Sequence, residues 1–160
     1  MGVIYLVSGN APNEVSDLTM KDAFSAMLES VIVHCQWQDT LLASGNLLGG
    51  TYRDGYETSV GLHGSGTVNQ NTTTLIDLAR SRGFRVSGSW FQHPQAHRWT
   101  WNSNAGGVAK EIDHVLVDGC WRMIQKCSVF RSAQFLNTDH RLVVATLKLQ
   151  LNPREWYHPS

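Results

Sequence analysis

Two β-branched runs, each opened by an acid, constrain this chain more than any other feature. The first is Glu111-Ile112-Asp113-His114-Val115-Leu116-Val117. The second is Thr138-Asp139-His140, which leads into Arg141-Leu142-Val143-Val144-Ala145-Thr146-Leu147. Short apolar stretches of this kind favour strands with at least one buried face. Asp113 precedes Asp139 by 26 residues. Two sheet-anchored positions can bring a carboxylate to one ring nitrogen of His140 and leave the other facing a substrate. Such a pair fixes the imidazole tautomer, as general acid–base or phosphate-stabilising chemistry requires. The plainer reading of Asp139-His140 is a capped strand start.

A chain of 160 residues is long enough for one domain with a real core. With 42% hydrophobic and 16% charged residues it is globular in composition, not disordered. The formal net charge is zero, yet the charges are unevenly spread. Residues 1–60 carry seven acids against Lys21 and Arg53, whereas residues 61–160 carry eleven Lys and Arg against six acids. The basic half, with Arg80, Arg82, Arg85, Arg98, Arg122, Lys126, Arg131 and Arg141, permits an anionic partner such as nucleic acid. A solvated basic face explains the same charges. Cys35, Cys120 and Cys127 are odd in number and lack tight metal spacing. They read as reduced thiols of a reducing compartment, with a zinc site from Cys120, Cys127 and His114 as the weaker alternative. No apolar run approaches the length of a membrane span. The start, Val3 to Val7, has no basic flank and reads as a strand, not a secretory signal.

Along the chain, Val3–Ser8 reads as a buried strand and Asn10-Ala11-Pro12-Asn13 as a turn. A helix is predicted from about Thr19 to His34, with Thr19 and Asp22 resembling a capping box. Met20, Phe24, Met27, Leu28 and Val31 form its apolar, core-facing stripe. Asp39–Ala43 reads as a strand that runs into a glycine-rich segment, and residues 51–70 read as a long loop. A second helix is predicted from about Asn71 to Arg82, closed by Gly83. Phe84–Ser89, Arg98–Trp101, Ile112–Val117, Cys127–Arg131 and Leu142–Leu149 are the remaining predicted strands. Strands interleaved with two helices indicate a layered α/β (α+β) fold. The domain is expected to span residues 3–150, with a loose tail over residues 151–160.

Three groups of residues, taken in order, carry a family resemblance: Ala43-Ser44-Gly45-Asn46-Leu47, Thr100-Trp101-Asn102-Ser103 before Ile112-Asp113-His114, and Thr138-Asp139-His140. The chain resembles the endonuclease/exonuclease/phosphatase superfamily. Within it, the chain is most similar to the apurinic-endonuclease-like nuclease domain of non-LTR retrotransposons and to craniofacial development protein 2-like proteins. Arg53-Asp54-Gly55-Tyr56-Glu57, His63-Gly64-Ser65-Gly66-Thr67 and Ala105–His114 match that subgroup in particular. The resemblance implies a four-layered α/β/β/α sandwich, lacking its first strands here, and Mg²⁺-dependent hydrolysis of nucleic-acid phosphodiesters.

The resemblance also implies roles. His140 would contact the scissile phosphate and hold the attacking water. Asp113 would orient His140, Asn46 would hydrogen-bond phosphate or water, and Asp139 would sit beside the metal. Thr100 and Trp101 would form the floor of the substrate site, with core packing the expected role of Trp101. Three departures bear on activity. Asn10, in Asn10-Ala11-Pro12, stands where the family commonly has a Tyr near the phosphate. Ser44 stands where the family has a metal-contacting Asp, and the family's metal-binding Glu lies in strands absent from this sequence, a position that Glu14 does not match. A serine hydroxyl is a poor ligand for a hard divalent cation. The expectation is a degenerate, weak or inactive nuclease with impaired Mg²⁺ binding. The alternative is a non-catalytic retrotransposon-derived remnant that binds nucleic acid or a protein, with Trp90, His93, His97, Arg98 and Trp99 as a stacking surface. An unpaired sheet edge would invite self-association or a completing partner. The family implies an intracellular protein, nuclear or cytoplasmic.

Overall fold

The structure is a computed structural model that describes residues 4–34, 40–46, 53–64, 69–103, 105–118, 121–130 and 138–148, with residues 40–46 and 121 described by their backbone alone. The expected tail over residues 151–160 lies outside the described residues.

Strand β1 (Ile4–Asn10) leads into helix α1 (Leu18–Val33). The helix is capped two residues before the predicted Thr19/Asp22 box. Asp17 is the N-cap, and its carboxylate accepts the Met20 N–H at 2.8 Å. Strand β2 (Thr40–Asn46) follows, and then helix α2 (Gln70–Arg82). Asn69 caps α2 by accepting the Thr72 N–H at 2.8 Å. Gly83 closes α2 at φ 69°, a left-handed conformation that glycine adopts without steric cost. Arg80 and Arg82 in the last turn complement the negative end of the helix dipole.

The remaining strands are β3 (Arg85–Val86), β4 (Trp101–Asn102), β5 (Ala109–Lys110), β6 (Asp113–Val117), β7 (Ile124–Phe130) and β8 (Leu142–Leu147). The predicted strand Phe84–Ser89 is cut short after Val86, and Ser87–Trp90 form a 3₁₀ turn. The cause is local. The Ser89 hydroxyl donates to the Val86 carbonyl at 2.6 Å and in turn accepts the Gly61 N–H at 2.8 Å, bending the chain out of the sheet. Gly61 is required there, because a Cβ at this position would lie 2.5 Å from the Ser89 carbonyl oxygen. The predicted strand at Arg98–Trp101 is displaced to Trp101–Asn102, where it pairs with the unpredicted β5.

Among the described residues the strands form one four-stranded sheet, in the order β1-β2-β6-β3, and two two-stranded pairs, β4-β5 and β7-β8. β1 runs parallel to β2, which runs antiparallel to β6. Leu28 and Ile32 of α1, Leu75, Ile76 and Ala79 of α2, and Val60, Phe84, Val86 and Leu116 make one core. Burying side chains of this size contributes on the order of 1.5–3 kcal/mol each.

The predicted apolar stripe of α1 is corrected by this packing. Leu28 and Ile32 are buried and Phe24 packs against them, whereas Met20, Met27 and Val31 are exposed. Positions 24, 28 and 32 repeat every four residues and hold a single narrow line against α2 and the sheet. β1, predicted as buried, is likewise open. It is an edge of the described sheet, and Leu6 is 72% exposed.

Candidate active site

The site forms where the second acid-led run crosses the first. The sheet register sets one side of it. Asn46 at the end of β2 stands opposite Asp113 at the start of β6, and Asn10 at the end of β1 stands opposite Asn46. The sequence-predicted Asn46 and Asp113 are therefore neighbours across one sheet. Ser44 stands two residues back, opposite Val115, and strand alternation puts positions 44 and 46 on the same face.

The other side is a backbone stitch between β4 and the lead into β8. Trp101 and His140 form an antiparallel bridge. The Asn102 N–H donates to the Asp139 carbonyl at 3.0 Å, and the Arg141 N–H donates to the Thr100 carbonyl at 2.7 Å. These bonds fix Asp139 and His140 over the start of β6. His140 Nδ1–H then donates to Asp113 Oδ2 at 2.9 Å. A carboxylate only accepts, so the proton is assigned to Nδ1 and the lone pair to Nε2. Nε2 lies 4.0 Å from Asp139 Oδ1. His140 is one-third exposed, so its ring is held at the surface and is open to a ligand.

Thr100 sits beneath this pair and is fully buried. Its Oγ1 accepts two backbone N–H groups, from Ile112 at 2.9 Å and from Asp113 at 3.0 Å. The hydroxyl oxygen is thus engaged inside the protein and ties Thr100 to the start of β6. Trp101, expected as a core residue, is only half-buried. Its indole N–H donates to Asp139 Oδ2 at 2.7 Å. Sequence reasoning gave no signal for this bond, because it depends on strand register.

Sequence reasoning also missed the layer behind the dyad. Arg98 Nη2 pairs with Glu111 Oε2 at 3.0 Å, both largely buried. His93 Nε2–H donates to the Cys127 carbonyl at 2.7 Å. These residues line a small cavity with Thr100, Asp113 and His114. Cys127 is buried there, and burial, reinforced by the nearby Glu111 charge, pushes its thiol up to about 12. It is a structural thiol with negligible thiolate at neutral pH. A larger apolar groove, between Pro12, Phe24, Leu28, Leu75 and Leu78, lies between the two helices and shares no residue with the dyad.

Of the expected stacking surface, His93, His97 and Arg98 line the same small cavity. Trp90 and Trp99 are half-buried, and the Arg85 guanidinium lies over the Trp90 ring at 4.4 Å. Among the described residues no group of three or more His, Cys, Asp or Glu side chains could hold a metal ion. His114 and Cys127 of the zinc alternative belong to no such group, while Cys120 lies outside the described residues. Asp113 and Asp139 each have one oxygen already bonded, to His140 and to Trp101. This described donor set does not by itself fit Mg²⁺, which takes near-octahedral oxygen coordination. Among the described residues no helix is long and apolar enough to cross a membrane.

No family profile matches the chain. Over 91 residues it is 28% identical to craniofacial development protein 2 of Tragulus javanicus, a match that covers 57% of this chain and 16% of that protein. It is 26% identical over 91 residues to craniofacial development protein 2 of Bos taurus, covering 57% of this chain and 15% of that protein. Among solved structures it is similar to the 3′-5′ exonuclease NExo from Neisseria meningitidis, with TM-score 0.67 and 17% identity, over 90% of this chain and 61% of that one. It is equally similar to the 3′ phosphatase NExo from Neisseria bound to product DNA hairpin, with TM-score 0.66 and 16% identity, over the same shares of both chains. At these identities the structural likeness speaks to the fold. The matched region is thus a small part of the curated relatives and under two thirds of the solved ones. Sequence and fold together support an endonuclease/exonuclease/phosphatase-like domain, of mixed helix and strand, similar to part of craniofacial development protein 2.

Proposed function

We propose that this domain hydrolyses phosphate esters of nucleic acid, slowly, through the Asp113–His140 dyad, on the layered α/β/β/α scaffold of its relatives. The observation that carries the proposal is the 2.9 Å bond from His140 Nδ1 to Asp113, which assigns the lone pair to Nε2 of a ring that is one-third exposed. A ring so held can accept a hydrogen bond from an attacking water, and Asp113 stabilises the positive charge the ring gains if it takes the proton. Asn46, in register with Asp113, is assigned to the phosphate or the water. The nucleic-acid substrate follows by analogy with the neighbour bound to a DNA hairpin. A divalent metal would neutralise phosphate and leaving-group charge in such a reaction. The described donors do not complete a metal site, so the steps assigned to His140, Asp113 and Asn46 use the chain's own side chains. Were a metal bound, Asp139 is the residue assigned to it.

The slow rate is assigned to Ser44. It shares a strand face with Asn46 two register positions from Asp113, and a carboxylate there would add a charged oxygen donor. Ser44→Asp is expected to raise Mg²⁺-dependent hydrolysis by about 10²-fold, the usual cost of one missing electrostatic group. It is also expected to tighten Mg²⁺ binding by calorimetry, since affinity follows ligand charge. An unchanged rate and an unchanged Mg²⁺ isotherm would show that Ser44 does not limit turnover.

The open face of β1 and α1 favours self-association as the partner mode. Leu6 on β1, Val15 in the turn before α1, and Met20 and Met27 on α1 are all more than half exposed. Such edges and apolar patches mark interaction surfaces. Sedimentation velocity is expected to show a concentration-dependent dimer that a Leu6→Lys change dissociates. A monomer at all concentrations contradicts this.

A further inference from the structure

We infer that Trp101 is a positioning residue whose indole N–H holds the Asp139 carboxylate in place beside His140. The inference rests on the phosphate-ester reading for its purpose, but not for its geometry. Three observations carry it. First, the indole Nε1–H meets Asp139 Oδ2 at 2.7 Å, a short distance that fits a charge-assisted bond. Second, the other oxygen of the same carboxylate is left 4.0 Å from His140 Nε2, beyond hydrogen-bond reach. Third, the segments are already joined by the Asn102–Asp139 and Arg141–Thr100 backbone bonds. The indole bond is therefore not needed to dock β4 against the lead into β8. What it sets is the orientation of one carboxylate group.

That orientation keeps the ring nitrogen clear. Asp139 is one residue from His140 and one-third exposed, so an untethered carboxylate is free to swing onto Nε2. A direct bond there requires a proton on Nε2, so it would favour the ring forms in which the lone pair that the Asp113 contact presents to the site is lost. With its Oδ2 held by Trp101, Asp139 keeps its distance and leaves Nε2 open. Trp101 thus acts through Asp139 and does not itself touch the reacting atoms.

The experiment is a ¹H–¹⁵N spectrum of the indole region, combined with rate measurements on a 3′-phosphorylated DNA hairpin. Trp101→Phe deletes one indole signal and so assigns it. In Asp139→Asn the acceptor loses its charge, and that signal is expected to move upfield while the other indoles stay in place. Trp101→Phe keeps the ring and the backbone stitch, so it is expected to lower kcat by about tenfold at unchanged KM, as for supporting groups that orient a first-contact residue. A Trp101 signal indifferent to Asp139→Asn overturns the inference, whatever the activity. A Trp101→Phe loss confined to KM overturns it as well. A shifted signal in a chain that hydrolyses no ester upholds the tether and refutes the proposed function instead.

Discussion

His140→Ala is expected to lower phosphate-ester hydrolysis by about 10³-fold, within the range that a positioned acid–base group contributes. The ring faces the open site with a fixed tautomer, through Nδ1–H to Asp113. Asp113→Asn is expected to cost a comparable factor by a different route. An amide can turn its NH₂ toward Nδ1, which moves the ring proton to Nε2 and blocks the acceptor position. Because the two residues act as one unit, the double variant is expected to lose no more than the worse single variant. Steady-state rates for the four proteins, in the Ser44→Asp background where turnover is highest, test this. Losses that multiply would show that Asp113 and His140 work separately.

Thr100→Val is the second large effect, and it falls on stability. Valine keeps the shape and β-branching of threonine but removes the oxygen that accepts the Ile112 and Asp113 N–H groups at 2.9 and 3.0 Å. Thr100 is 1% exposed, so water does not replace it. Each buried donor left without a partner costs about 1–3 kcal/mol, which gives about 2–4 kcal/mol for the pair once partial relaxation at Asp113 is allowed. Urea unfolding is expected to show a lower midpoint at an unchanged slope. Thr100→Ser retains the oxygen and is expected to recover most of the loss. A Thr100→Val protein as stable as the parent would mean that the two N–H groups find other acceptors and that Thr100 does not hold β6. Loss of the same bonds loosens Asp113, so activity is expected to fall with stability.

The dyad was legible in the sequence because both of its members open strongly β-branched runs. Asp113 begins β6, and Asp139 and His140 lead into β8, close to where the strand pattern puts them. Helix α2 was legible for a local reason too, since Gly83 stops it at a positive φ. The misses have tertiary causes. Met20, Met27 and Val31 follow a helical period on α1, yet only the line through Phe24, Leu28 and Ile32 meets the core. Periodicity states which residues share a face and not how wide a face the rest of the fold covers. Phe84–Ser89 looks like a strand by residue type, but the Ser89 hydroxyl competes for Val86 and Gly61 backbone groups and ends it. The Trp101–Asp139 bond spans 38 residues and exists only because β4 bridges His140. Roles for Asn46 and Asp139 came from family resemblance, and the register supplies the proximity of Asn46 to Asp113.

Hydrolysis of a 3′-phosphorylated DNA hairpin and of an abasic duplex by the purified chain with Mg²⁺ decides whether the Asp113–His140 dyad is hydrolytic. It is run beside Ser44→Asp and the Ser44→Asp/His140→Ala double variant. A hydrolytic dyad predicts slow hydrolysis of at least one substrate by the parent, faster hydrolysis with Ser44→Asp, and loss of that gain when His140 is removed. Absence of hydrolysis in both the parent and Ser44→Asp, or a rate indifferent to His140→Ala, would contradict it.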